Sequence, residues 1–220
     1  IYKRTGNTTN PYELKLNYIA GAAKRESGIR IIDSLKDRAD SNYGLKSTNP
    51  HLYLGDGGMN QLTSPRGQNV LLSSLGRGGR GVFALNIEGK KETDLTKKVG
   101  LSEPNMANWK DSVPLWDSSA KVSSSSSYTP ITMGYTVSRP VLSLFAMTRK
   151  SDGSAKLTSA EGADVRMAAI FSSGYEDDSW RRPILYITDV LGASMVQDRA
   201  DNLSSATSPG VGSTIREIEI

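Results

Sequence analysis

The chain has 220 residues, a net charge of +4 and no cysteine. That length is enough for one all-β domain or two small ones, and the lack of cysteine excludes disulfides, cysteine metal sites and thiol catalysis. Lys and Arg are scattered among Asp and Glu rather than gathered in a stripe, which argues against a nucleic-acid groove. Hydrophobic residues make up 37%, so any core is diluted with Ser, Gly and Thr. No apolar run reaches the roughly 18 residues a membrane helix needs. Ile1 is not a natural start, so the chain reads as a mature product or a piece of something longer.

In chain order, residues 1–27 are polar, with one short strand expected around Leu14, Leu16 and Tyr18. Residues 28–32 open a strand or a short helix running to Ala39, where Leu35 and Ala39 share an i, i+4 spacing. His51-Leu-Tyr-Leu54 reads as a strand entering the turn Gly55-Asp-Gly-Gly58. A hairpin is expected over 69–87, cornered by Gly76-Arg-Gly-Gly-Arg-Gly81. Its second arm is almost continuously apolar, the mark of burial on both faces.

Residues 88–132 look like an irregular insertion, with Lys90, Lys91, Lys97 and Lys98 interleaved with Glu92 and Asp94. Ser123 to Ser127 form a five-serine run. Within this stretch Trp116 is a candidate plug against a sheet face, worth about 3 kcal/mol if fully buried. Strands are expected over 133–137 and 140–147, with Pro140 at a strand start or edge because it cannot donate to a ladder. A second hairpin occupies 165–190, and 215–220 makes a last short strand. The sum is an all-β chain whose two glycine-cornered hairpins recur about 100 residues apart, as in a β-propeller. The composition also fits a sandwich.

Several motifs resemble, in order, the C-terminal propeller domain of the type IV pilus tip-adhesin and biogenesis proteins, the PilC/PilY family. They are Tyr53-Leu-Gly-Asp-Gly-Gly-Met-Asn-Gln-Leu62, Leu75-Gly-Arg-Gly-Gly-Arg-Gly-Val-Phe-Ala-Leu85, Pro114-Leu-Trp116, Met133-Gly-Tyr-Thr-Val-Ser-Arg-Pro-Val141, Ala169-Ile-Phe-Ser-Ser-Gly-Tyr175 and Leu185-Tyr-Ile-Thr-Asp189. Asp201-Asn-Leu-Ser-Ser205 continues the series weakly. The resemblance implies a quinoprotein-like β-propeller without quinone chemistry, here a single domain over 1–220 or a fragment of one. It also implies an extracellular place at the pilus tip or outer-membrane surface of a Gram-negative bacterium. The implied partners are minor pilins of the tip complex and host-cell, matrix or abiotic surfaces, with roles in pilus biogenesis, twitching motility and adhesion. The family's Asp-x-Asp-x-Asp calcium loop is not found here, so no cofactor is expected in this fragment. Nor can 220 residues close six or seven blades.

The candidate sites read as follows. Lone His51 has Asp56 as its nearest acidic partner in sequence and no nucleophile, which favours a polar residue at a strand entry. The glycine turn could bind an anion through its N–H groups. It lacks the Gly-Lys-Ser/Thr of a phosphate loop, and a strand rather than a helix follows, so a hairpin turn is favoured, with Arg77 and Arg80 as a contact patch. Glu176, Asp177 and Asp178 are weak calcium candidates, since three consecutive carboxylates converge only through an unusual turn. Their alternative is an acidic loop neutralised by Arg181 and Arg182. Tyr135 and Tyr186 lie in expected strands and suit a core. Tyr175 and Trp180 lie in a connection and suit a surface contact. Asp56, Asp111, Asp117 and Asp189 are available for glycoside hydrolysis, but nothing in the sequence sets two of them face to face.

The resulting expectation is a non-enzymatic scaffold that binds through loops 76–81, 88–112, 118–130 and 174–182, without nucleic acid and without spanning a membrane. The alternatives are a secreted or periplasmic propeller hydrolase and a structural subunit of a surface fibre.

Overall fold

The computed structural model describes residues 1–26, 29–30, 39, 41–44, 51, 55–91, 94–101, 113–124, 126–175, 182–196 and 210–220. Two antiparallel sheets carry the architecture. The first holds β5 (Met59–Thr63), β6 (Gln68–Ser74), β7 (Val82–Lys91) and β8 (Asp94–Gly100) in that order, with β9 (Pro114–Asp117) also paired to β7. The second is a meander of β10 (Val141–Ala146), β11 (Val165–Ser172), β12 (Ile184–Ser194) and β13 (Thr214–Glu219). Two short ribbons precede them: β1 (Tyr2–Arg4) with β2 (Tyr12–Leu14), and β3 (Lys24–Glu26) with β4 (Ile29–Arg30).

Both hairpins form. β6 and β7 pair from Ser74↔Val82 to Gln68↔Gly89, and β11 and β12 from Ser172↔Leu185 to Arg166↔Ser194. The period-2 rule then sorts the side chains. Val70, Leu72, Val82 and Ala84 of the first sheet meet Leu142, Met167, Ala169, Phe171, Tyr186 and Val190 of the second in one core. Trp116 on β9 does plug it. The indole is 1% exposed, with its ring 5.4 Å from Phe171, which in turn stacks 5.5 Å from Tyr186. Gly212 makes room for this ring. Its φ is +76°, and a Cβ there would fall 2.2 Å from Trp116 Cδ1.

The continuous apolar run of β7 is explained by its second face. Phe83 and Leu85 point away from the shared core and are covered by the N-terminal segment, with Tyr18 5.4 Å from Phe83 and Leu16 in the same cluster. Asp117 holds that segment in place, accepting the Ala22 N–H at 2.9 Å from a buried position. Residues 15–20 cover the sheet without being a strand themselves; the strand expected near them is β2, which ends at Leu14.

The propeller implied by the resemblance is not formed. Among the described residues the sheets are open and end in unpaired strands, and no ring of blades closes. The resemblance to the PilC/PilY family therefore does not extend to the fold, and the propeller architecture and pilus role expected from it lose their support. A second correction concerns 88–132. β7 runs on to Lys91, and β8 and β9 both lie in that span, each held by backbone pairing along one edge of β7: β9 at Phe83–Leu85 and β8 at Glu88–Lys91. Residues 133–137 contribute isolated pairs rather than a strand. β10 starts directly after Pro140, as expected, and the last strand is β13. The helix or strand expected over 31–38 and the strand over 52–54 lie outside the described residues.

Candidate binding rim

One end of the two-sheet core gathers the β6–β7 turn, the approach to β10, the exit of β11 and the entry of β12. Residues 134–136 tie them together. The Gly76 N–H donates to Thr136 O at 3.1 Å, while Tyr135 and Tyr175 exchange both backbone hydrogen bonds at 2.6 and 2.8 Å. Gly134 N–H donates to Ser173 O, and Ser173 N–H to Ile184 O. The glycine corner is thus pinned to the second sheet. Gly76 sits at φ +58° with the Asp56 carboxylate where its Cβ would be, and Asp56 Oδ1 accepts the Gly78 N–H at 3.3 Å.

This placement sorts the expected contact residues. Arg77 is exposed at the tip of the turn. Arg80 is half-buried, with its guanidinium 4.7 Å from the centre of the Tyr135 ring, so it serves the turn as much as any partner. Tyr175 is 61% exposed. Arg182 projects two residues before β12 and lies 3.6 Å from Glu219, a solvent-exposed pair of little energetic weight. Trp180, Arg181, Glu176, Asp177 and Asp178 lie outside the described residues. Of the two tyrosines assigned to a core, Tyr186 is buried at 3%, whereas Tyr135 is half-buried under Arg80.

Three neighbours carry no sequence signal of their own. Met59 and Val137 are each 60% exposed, and Arg139 donates its Nε–H to Met59 O at 2.9 Å. Ser74 Oγ donates to Ser138 O at 2.9 Å and joins this stretch to β6. The rim therefore presents Met59, Val137 and Tyr175 as apolar points amid Arg77, Arg139 and Arg182. Met, Tyr and Arg are the residue types enriched at protein interfaces.

The carboxylates proposed for hydrolysis do other work. Asp117, at the end of β9, accepts from the Ala22 and Ser119 N–H groups. Asp189, fully buried, accepts from Leu191 and Gly192 N–H and from Arg166. Asp111 lies outside the described residues. Exposed His51 stands 5.6 Å from the Tyr43 ring. Among the described residues no group of three or more His, Cys, Asp or Glu is placed to hold a metal ion. No described helix is long and apolar enough to cross a membrane. No family model matches the chain, and no curated protein or solved structure matches it.

Proposed function

We propose that the chain is a non-catalytic binding module that docks a protein partner through this rim. The observation that carries the reading is the exposure of Met59, Val137 and Tyr175 on segments whose backbones are joined by cross-sheet hydrogen bonds. Exposed apolar side chains and arginines on backbone held by hydrogen bonds at 76, 134–136 and 173–175 reduce the ordering cost of binding. The complementary surface is acidic at its border and apolar in its middle. Arginines at the border steer encounter, and the desolvated centre supplies most of the affinity.

The fibre-subunit reading would use β13, whose outer edge pairs with no other strand among the described residues. That strand sets Arg216, Glu217 and Glu219 along the edge, a pattern that discourages strand addition. The rim is the better-supported surface.

The test is binding to an array of immobilised decapeptides, in which Leu or Tyr is flanked by Asp and Glu, or by Ser in the control set. The acidic set should be retained by the wild-type chain and lost by the Arg77→Glu/Tyr175→Ala variant, with the β circular-dichroism signal unchanged in both. Equal retention by the variant would remove the rim from the reading.

A further inference from the structure

A second feature lies at the opposite end of the second sheet. Where β10 ends and β13 begins, a groove of about 310 Å³ is lined by Phe145, Ala146, Met147, Arg149, Ile215 and Arg216. We propose that it is a site for a small amphipathic carboxylate, one carboxylate group on a short aliphatic or aryl tail.

The size falls at the lower end for small-ligand sites, roughly 300–1,000 Å³. The lining divides into two chemistries. Phe145, Ala146, Met147 and Ile215 are partly buried and give an apolar floor. Arg149 and Arg216 give two guanidinium groups, and no acidic residue lines the groove.

Two acids near this end of the sheet are already committed. Glu161 is bound by Lys150 at 2.5 Å, and Asp164 is gripped by Arg166 at 2.6 and 2.9 Å. Among the described residues neither Arg149 nor Arg216 has a carboxylate partner. One donor of Arg149 is spent on Gly153 O at 2.9 Å, which orients the side chain and leaves its other N–H groups available. Arg216 stands opposite Ile187 on β13, exposed.

A guanidinium fork matches a carboxylate with two parallel hydrogen bonds. Two such forks beside an apolar floor select a ligand that is charged at one end only. An inorganic anion would gain nothing from Phe145, Met147 and Ile215. A neutral apolar molecule would leave both cations without a partner.

The experiment titrates the whole chain with octanoate, octan-1-ol, acetate and inorganic phosphate, following backbone amide shifts of residues 145–149 and 215–216 by NMR. Octanoate should saturate those shifts, with the other three at least tenfold weaker. Arg216→Gln and, separately, Arg149→Gln should each weaken octanoate at least tenfold without moving the melting temperature. Having two variants keeps the test intact if one of them fails to fold. Octanol binding equal to octanoate would make the groove a plain apolar sink. Acetate or phosphate equal to octanoate would make it a plain anion site. Either result, undiminished octanoate binding by both variants, or no binding of octanoate at all overturns the proposal.

Discussion

The guanidinium of Arg166 meets the carboxylate of Asp189 at 3.1 Å where neither group reaches water. Asp164 grips the same guanidinium from the strand entrance, Oδ1 on Nε and Oδ2 on Nη2. The second oxygen of Asp189 accepts the Leu191 and Gly192 N–H groups, so the carboxylate also fixes the irregular turn of β12. Breaking a buried pair from one side strands the other charge and costs about 3–5 kcal/mol. Arg166→Met should lose that much in urea unfolding. Asp189→Asn should lose less than Asp189→Leu, since an amide oxygen still serves Leu191 and Gly192. Equal losses for the two would show that the turn does not depend on that acceptor.

The same carboxylate sets a pH dependence. Burial pushes Asp189 up from 3.8 to about 6, against the opposing pull of Gly192 N–H, Arg166 and Leu191 N–H. A folded value above the unfolded one means that the folded state holds its proton longer. The contribution to stability is therefore full below about 3.8 and is lost as pH rises through about 6. Glu161 works the other way. Lys150 and the Leu157 and Thr158 N–H groups hold it near 2, so its contribution is present above 4.5 and fades as pH falls towards 2. It is exposed and carries little weight. Urea midpoints of wild type and Asp189→Asn should lie furthest apart near pH 4 and draw together as pH rises towards 7, because only the wild type loses the contribution of a titrating Asp189. A constant difference would refute the assignment.

Trp116 is the largest fully buried side chain among the described residues. Trp116→Ala should cost about 3–5 kcal/mol, the range for emptying an aromatic site in a core. Gly212→Ala should also destabilise, because the new Cβ meets both Trp116 and Tyr128 in a backbone conformation that L side chains rarely adopt. Thermal unfolding of both variants checks this. An unchanged melting point for Gly212→Ala would mean that the β12–β13 connection shifts freely off the indole.

The rim residues separate by stability. Arg77→Ala and Tyr175→Ala should stay within about 0.5 kcal/mol of wild type, as exposed substitutions do. Arg80→Ala should lose about 0.5–1 kcal/mol with its cation–π contact to Tyr135. Chemical denaturation ranks the three. Arg80 behaving like Arg77 would return it to the set of pure contact residues.

The hairpins were legible because β7 and β12 are buried on both faces and so show long apolar runs. β8 was not. Asp94-Leu-Thr-Lys-Lys-Val-Gly100 has two apolar residues and owes its place to backbone pairing with β7. β9 was hidden by its length, four residues starting at a proline. The motifs that resembled propeller blades are antiparallel pairings that an open sheet uses equally well, so their order could not report closure. At the rim, Arg77 and Tyr175 were visible as polar or aromatic residues in turns. Met59, Val137 and Arg139 were not, because backbone pairing around 134–136 joins segments far apart in the chain and leaves no periodic trace. The groove had no signal for the same reason: its lining comes from 145–149 and 215–216, segments far apart in the chain.

The stitch at 134–136 has a mechanical consequence. It is bonded on one side to the corner of the first sheet and on the other to the end of β11. Neither sheet can peel away without rupturing the other's closure, so amides in both halves should exchange with solvent through one shared opening. A tug applied at Tyr175 would be borne by the whole β framework at once.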